Sequence, residues 1–268
     1  MGTFLRRRLG WTLLWGYGLL VVAFLLTPLI VLISMSFSST SQLTFPPIGF
    51  SLKWYPLATQ VQGIVGSFAL SLELALLTAV LSSGLGTIAA LALANPRFPG
   101  KSLVMAFFLS PLIFPSIVIG VALLQFNRLA RFDDVFTTLL LAHIVVTIPY
   151  TVRTVAASLD VFDYSLLDAA RVLGADMLKT FTEVMLPIIK PGVFSGGVFA
   201  FLISFDNYTV SMFLTDAKNI TLPIRIFDYA EFAIDPTIAA ISTVMILTSV
   251  LMFVVSGKLI GVKELAKF

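Results

Sequence analysis

Six long apolar runs, at about 11–36, 64–94, 102–126, 135–157, 188–214 and 237–260, alternate with short stretches where Pro, Gly and charged residues gather. Each run is long enough to cross a hydrocarbon core about 30 Å thick at about 1.5 Å per helical residue. Lipid supplies no partners for backbone N–H and C=O groups, so a spanning segment is either a helix or a strand of a closed barrel. Barrel strands alternate polar and apolar residues, and these runs do not. The pattern therefore predicts an all-α integral membrane protein, one membrane domain over 1–268 with six transmembrane helices. Between the helices lie a polar loop with Pro46, Pro47 and Pro56, the turn "NPRFPGK", the loop "NRLARFDD", a connector over 158–187, and "TDAKNITLPIRIFDYAEFAIDP". The first run, Trp11 to Phe37, exceeds the 7–15 residues of a signal-peptide core and reads as a retained helix.

Composition agrees, with 58% hydrophobic and 12% charged residues against about 25% charged in soluble domains. Without Cys there is no disulfide, thiolate nucleophile or thiolate metal site, and redox chemistry is not expected. Lys and Arg placement sets orientation. With the N-terminus inside, twelve of the 17 fall on the inner side, including Arg6, Arg7, Arg8, Arg97, Lys101 and Arg153, and five on the outer side. Both termini and the 158–187 connector are then cytoplasmic. The net charge of +3 follows from topology, and no nucleic-acid partner is implied.

The connector is the longest interval that is neither apolar throughout nor a short turn. Ser165, three residues before Asp168, has capping-box spacing, and Leu166, Ala169, Ala170 and Leu173 recur at i, i+3, i+4 and i+7. A two-turn helix with one apolar face follows, ended by Gly174. A second helix starts at Asp176, with Lys179 and Glu183 paired at i, i+4, and Pro187 and Pro191 punctuate the way into the next membrane helix. Such an elbow serves either as a plain re-entry connector or as a docking surface. Small Ala169 and Ala170, which admit a partner backbone, and an apolar face without bulky aromatics favour docking.

The arrangement Asp168-Ala169-Ala170, three residues, Gly174, nine residues, Val184, one residue, Leu186-Pro187 resembles the EAA motif of binding-protein-dependent ABC importer permeases. That motif has Glu and Ile where this chain has Asp168 and Val184. Further on, "FLISFDNYTVSMFLT" and "TLPIRIFDYAEFAIDPTIAAIST" are similar to the spermidine/putrescine-type permeases. The resemblance implies a type I importer fold with a coupling helix between helices 4 and 5. It also implies a bacterial inner-membrane location and ATPase coupling through Asp168, Ala169, Ala170, Gly174, Leu186 and Pro187. The partners it implies are an ATPase dimer holding ATP and Mg, a second permease subunit forming a heterodimer, and an extracytoplasmic substrate-binding protein.

No ATP site or other cofactor is expected in this chain itself. "PGKS" at 99–102 ends like a phosphate-binding loop, but Asn95 stands where that loop needs Gly, and no strand precedes it. A membrane enzyme is disfavoured by a single His, no Cys and no H-E-x-x-H. A stand-alone secondary transporter would show inverted repeats or paired broken helices, and none is clear.

Charges inside the bilayer cost at least about 2.5–3.5 kcal/mol and usually face a cavity or partner. Glu73, His143 and Asp206 each lie about 12–13 Å from the outer helix ends, counted at 1.5 Å per residue, and form a candidate layer. With Asn207, Tyr208 and Thr209 they are candidates to line the path of a small cationic solute such as a polyamine. An amino-acid derivative is the alternative solute. On a purely structural reading, Asp206 accepts bonds from a neighbouring helix, Glu73 faces the second subunit and a backbone carbonyl satisfies His143. Gly84, Gly86, Gly196 and Gly197 fit close helix packing. The last outer loop carries Asp216, Asp228, Glu231 and Asp235 against Lys218 and Arg225, a face suited to a binding protein or simply to water.

Overall fold

The computed structural model describes residues 2–94 and 98–260. Asn95, Arg97, Lys263 and Lys267 lie outside the described residues, as do the side chains of Arg6, Arg7 and Arg8. Among the described residues every regular element is helical. The long helices are α1 (Gly2–Met35), α3 (Ile64–Ala94), α6 (Val135–Asp160), α9 (Leu186–Phe205) and α12 (Pro236–Ile260). Between them lie α2 (Trp54–Gln60), α4 (Lys101–Leu109), α5 (Ser116–Ala130), α7 (Ser165–Val172), α8 (Met177–Lys179), α10 (Ser211–Leu214) and α11 (Leu222–Phe232).

The chain forms two compact units, one of residues 1–62 and 228–247, the other of residues 63–227 and 248–268. In the first, the stretch after α1 closes on its own side chains. The Trp54 indole donates to Ser38 O at 2.6 Å, the Ser36 and Tyr55 hydroxyls meet at 2.8 Å, and the Phe37 and Phe50 rings stack at 5.3 Å.

The second unit is built on α3, α6 and α9, which pack on one another. Small residues permit the approach: a Cβ on Gly196 would lie 2.8 Å from Thr151 Cα, and one on Gly192 would lie 2.7 Å from Thr154 O. Gly86 against Thr151 and Gly197 against Ser83 are similarly close. Gly84 departs from the expected packing role, because nothing lies within 4 Å of its missing Cβ. A hydroxyl seam joins α3 to α6. Ser82 and Thr147 share a 2.7 Å bond, and Thr151 Oγ1 donates to Ser82 O at 2.9 Å. Lipid gives helices no hydrophobic reason to associate, so small-residue contacts and interhelical hydrogen bonds are what lock this bundle.

Two apolar runs are not the single helices expected. The run at 102–126 is α4, a 3₁₀ turn (Ser110–Leu112) and α5, with the two halves bent by 105°. Pro111 and Pro115 supply the cause, since neither has an N–H to donate and Pro115 takes an extended ψ of 134. The run at 188–214 is displaced: its helix begins at Met177 and stops at Phe205. Pro187 and Pro191 do not interrupt it. A π-helical segment, Thr180–Met185, lies just before Pro187, and α8, this wide turn and α9 run on as one continuous helix.

Candidate functional site

The elbow is held from both ends by local hydrogen bonds. Asp163, not the Ser165 box, opens α7, its carboxylate accepting from Ser165 N at 3.0 Å. Hydrogen bonds from the Ser165 side chain and backbone hold the Asp163 carboxyl below the usual carboxylate range. Ser165 is already inside the helix, so its hydroxyl is not the cap. At the far end Gly174 takes φ +86, with Ala175 N donating to Ala170 O at 3.0 Å and Gly174 N to Arg171 O at 2.9 Å. This pair of bonds is the Schellman motif, whose left-handed residue favours Gly. Asp176 then caps the next helix, accepting from Lys179 N at 2.7 Å.

The expected apolar face divides. Leu167 packs inward with Phe162, Leu159, Ile189 and Leu186, and Ala170 is buried. Ala170 is therefore covered by its own chain and not open to a partner backbone, while Ala169 is exposed. Outward stand Val172 and Leu173, each 87% exposed, Met177 at 91% and Leu178 at 71%. Asp168 pairs with Arg171 at 3.2 Å, a solvated bond of little energetic weight. Among the described residues no ion pair joins Lys179 to Glu183, and Glu183 lies within the π turn that starts just after Lys179. Pro187 is exposed.

The second locus is the break after α9. Asp206 closes α9, its N–H donating to Leu202 O at 3.1 Å, and Asn207 Oδ1 accepts from Val210 N at 3.0 Å to start α10. Asp206 is exposed, and its carboxylate has no partner among the described residues. The Tyr208 ring rests on Phe227 at 5.1 Å, and Thr209 is half-buried. His143 is completely buried and spans the break, with Nδ1 2.7 Å from Ser204 Oγ and Nε2 2.9 Å from Ser211 Oγ. Ser211 already donates to Asn207 O at 2.7 Å, so it accepts from Nε2–H, and Ser204 donates to a bare Nδ1. The hydrogen bonds thus select the neutral Nε2–H tautomer.

His143 consequently has no surface to offer a solute, and serine hydroxyls satisfy it, not the backbone carbonyl considered above. Leu74, Ala142 and Val210 share one apolar cluster, which puts Glu73, His143 and the break at one level. The three side chains do not converge: His143 points inward, while Glu73 is exposed on α3.

Three features escaped the sequence reading. Ser204 and Ser211 carry no local pattern that marks them. Asp163, two residues before Ser165, is an Asx-turn signal in plain view. A cavity of about 640 Å³ between α6, α9 and the end of α12 is lined in part by Tyr150, Arg153 and Phe199.

Residues 82–259 match the family described as binding-protein-dependent transport system inner membrane component. The spermidine/putrescine transport system permease protein PotC of Escherichia coli (strain K12) is 32% identical over 241 residues, covering 90% of this chain and 91% of that protein. The putrescine transport system permease protein PotI of the same strain is 32% identical over 235 residues, 85% of this chain and 83% of that one. Among solved structures, a bacterial ABC transporter involved in the import of the acidic polysaccharide alginate matches with a TM-score of 0.72 at 17% identity, over 94% of this chain and 96% of that one. At that identity the likeness speaks to the fold, which is that of an ABC importer permease. An all-helical multi-pass bundle and a family match through the 158–187 elbow together place this chain in the binding-protein-dependent transport system inner membrane component family.

Proposed function

We propose that this chain is one permease subunit of an ATP-driven importer for a small cationic solute of the polyamine class. The observation that carries the solute reading is the exposed, unpaired Asp206 carboxylate at a break in the fifth span, in a chain resembling PotC and PotI. A carboxylate in that setting favours a cation, and Glu73, Asn207 and Tyr208 stand with it as pathway residues. The chain pairs with a second, non-identical permease subunit and receives solute from an extracytoplasmic binding protein. ATP and Mg belong to two partner ATPase subunits, which dock on the elbow at Asp168, Ala169 and Gly174 and on the exposed apolar side chains beside them. Leu186 and Pro187 join the elbow to the membrane.

Orientation follows from charge and parity. If the bent α4–α5 pair crosses the membrane, Lys and Arg divide twelve inside to five outside; if it turns back, they divide nine to eight. The stronger bias favours a crossing, with both termini and the elbow cytoplasmic.

Uptake of labelled spermidine by the complete complex in proteoliposomes tests the reading. The wild type should accumulate it only with ATP, and Asp206→Asn should lower uptake by about tenfold with ATPase activity retained. Undiminished uptake in that variant removes Asp206 from the path, and uptake by this chain alone, without ATP, overturns the importer.

A further inference from the structure

The cavity between α6, α9 and the end of α12 is lined by both polar and apolar side chains. By position along their helices, Arg153, Thr154, Ser195 and Ser256 lie about one turn nearer the C-terminus of α6 than Tyr150, Phe199, Leu202 and Phe253, with the small residues Ala157, Gly192 and Gly257 beyond them. Arg153 is the one formal charge in the lining, and no carboxylate faces it there. It is exposed and takes part in no ion pair among the described residues. Seven residues separate it from Asp160 at the end of α6, about 10 Å at 1.5 Å per residue. That depth is one from which a guanidinium reaches the headgroup layer while its stem stays in hydrocarbon. Lys190 and Lys258 lie at the same ends of α9 and α12, adding to the positive field.

We infer that this cavity is a binding site for an anionic phospholipid of the cytoplasmic leaflet. Its phosphate sits at Arg153 with the Ser195 hydroxyl as a further donor, since the Thr154 and Ser256 hydroxyls donate to Thr151 O and Met252 O, and the first part of its chains lies along Phe199, Leu202 and Phe253. The occupant follows from charge and from the order of the lining. A diffusible cation is repelled by Arg153, and an apolar helix leaves the guanidinium without a counter-charge. An anion with hydrocarbon attached satisfies both ends at once. The volume of about 640 Å³ lies within the range of specific small-ligand sites and takes a headgroup with part of its chains. The inference uses the cytoplasmic orientation proposed above and is independent of the solute.

The test is native mass spectrometry of the complete complex with added phosphatidylglycerol or phosphatidylcholine of matched chains. The wild type should retain the anionic lipid about fivefold more, the factor expected from one Arg near the membrane surface. Arg153→Gln should bring the ratio to about one, Arg153→Lys should preserve it, and excess glycerol phosphate should displace nothing. Equal retention of both lipids by the wild type overturns the site and needs no variant. Unchanged preference in Arg153→Gln, or displacement by glycerol phosphate, also overturns it. A photo-crosslinking residue replacing Phe253 should capture lipid; capture of a partner subunit makes the cavity a subunit interface and ends the proposal. None of these readouts measures uptake, so failure here and failure of the polyamine reading are distinguishable.

Discussion

A single imidazole joins Ser204 to Ser211 across the break in the fifth span. Replacing His143 by Ala leaves the Ser204 hydroxyl buried without its acceptor, and the expected loss is about 1–3 kcal/mol. Thermal unfolding of the purified complex measures it. In a double-mutant cycle with Ser204→Ala the two losses should fall short of adding, since the second change removes a group already orphaned. The glycines offer a matched pair. Gly196→Ala should destabilise by about 1–3 kcal/mol, because its Cβ would meet Thr151 Cα at 2.8 Å. Gly84→Ala should be neutral or stabilising by up to about 1 kcal/mol, as an open site in a helix interior gains from Ala. At Gly174 space is free, but φ is +86. Ala there should cost roughly 1–2 kcal/mol locally, and Asn less; amide exchange at Ala175 reads the difference. Asp163 shows the sign of pH dependence for an exposed cap. Its lowered pKa means the cap persists at neutral pH and is lost only as pH falls through the acid range, so the protection factor at Ser165 N, the intrinsic rate divided by the observed one, should be flat from pH 8 to pH 6.

At the scale of elements, what the sequence disclosed depended on whether the cause was local. Gly174 and Asp176 act on their own backbone neighbours, so the bend between α7 and α8 was readable from spacing. The 105° bend between α4 and α5 was also written locally, in Pro111 and Pro115, yet an unbroken apolar run concealed it. Hydropathy reports where a chain lies in lipid and says nothing of its direction. The packing of Leu167, the inward turn of His143 and the split face of α7 depend on side chains that arrive from distant helices. No pattern within one helix encodes them. The bent pair is open to a direct check, because the chain has no Cys and single cysteines can be read without background. Lys101→Cys should label only from the cytoplasmic side and Arg131→Cys only from outside. Labelling of both from one side would make the pair a re-entrant hairpin.

Taken whole, the chain leaves unfinished surfaces at several places. The most apolar window of α1 is 0% buried by the rest of the protein, and the elbow shows Val172, Leu173 and Met177 to the outside. The first surface is apolar enough for lipid to cover, and the second is the one that the proposed ATPase docking would cover. Met177–Phe205 is 29 residues without a stop, about 43 Å at 1.5 Å per residue. It is a stiff rod with the elbow at one end and the Asp206 break at the other. Its one compliant joint is the π turn, where a helix carries about one residue more than an α turn needs. Deleting Thr182 should close that joint to an ordinary α turn, leaving the two ends of the rod in register but removing its compliance. ATP hydrolysis and solute uptake would then fall out of phase, with ATPase activity retained and uptake per ATP reduced. An unchanged ratio would mean that the compliance of this joint plays no part in coupling.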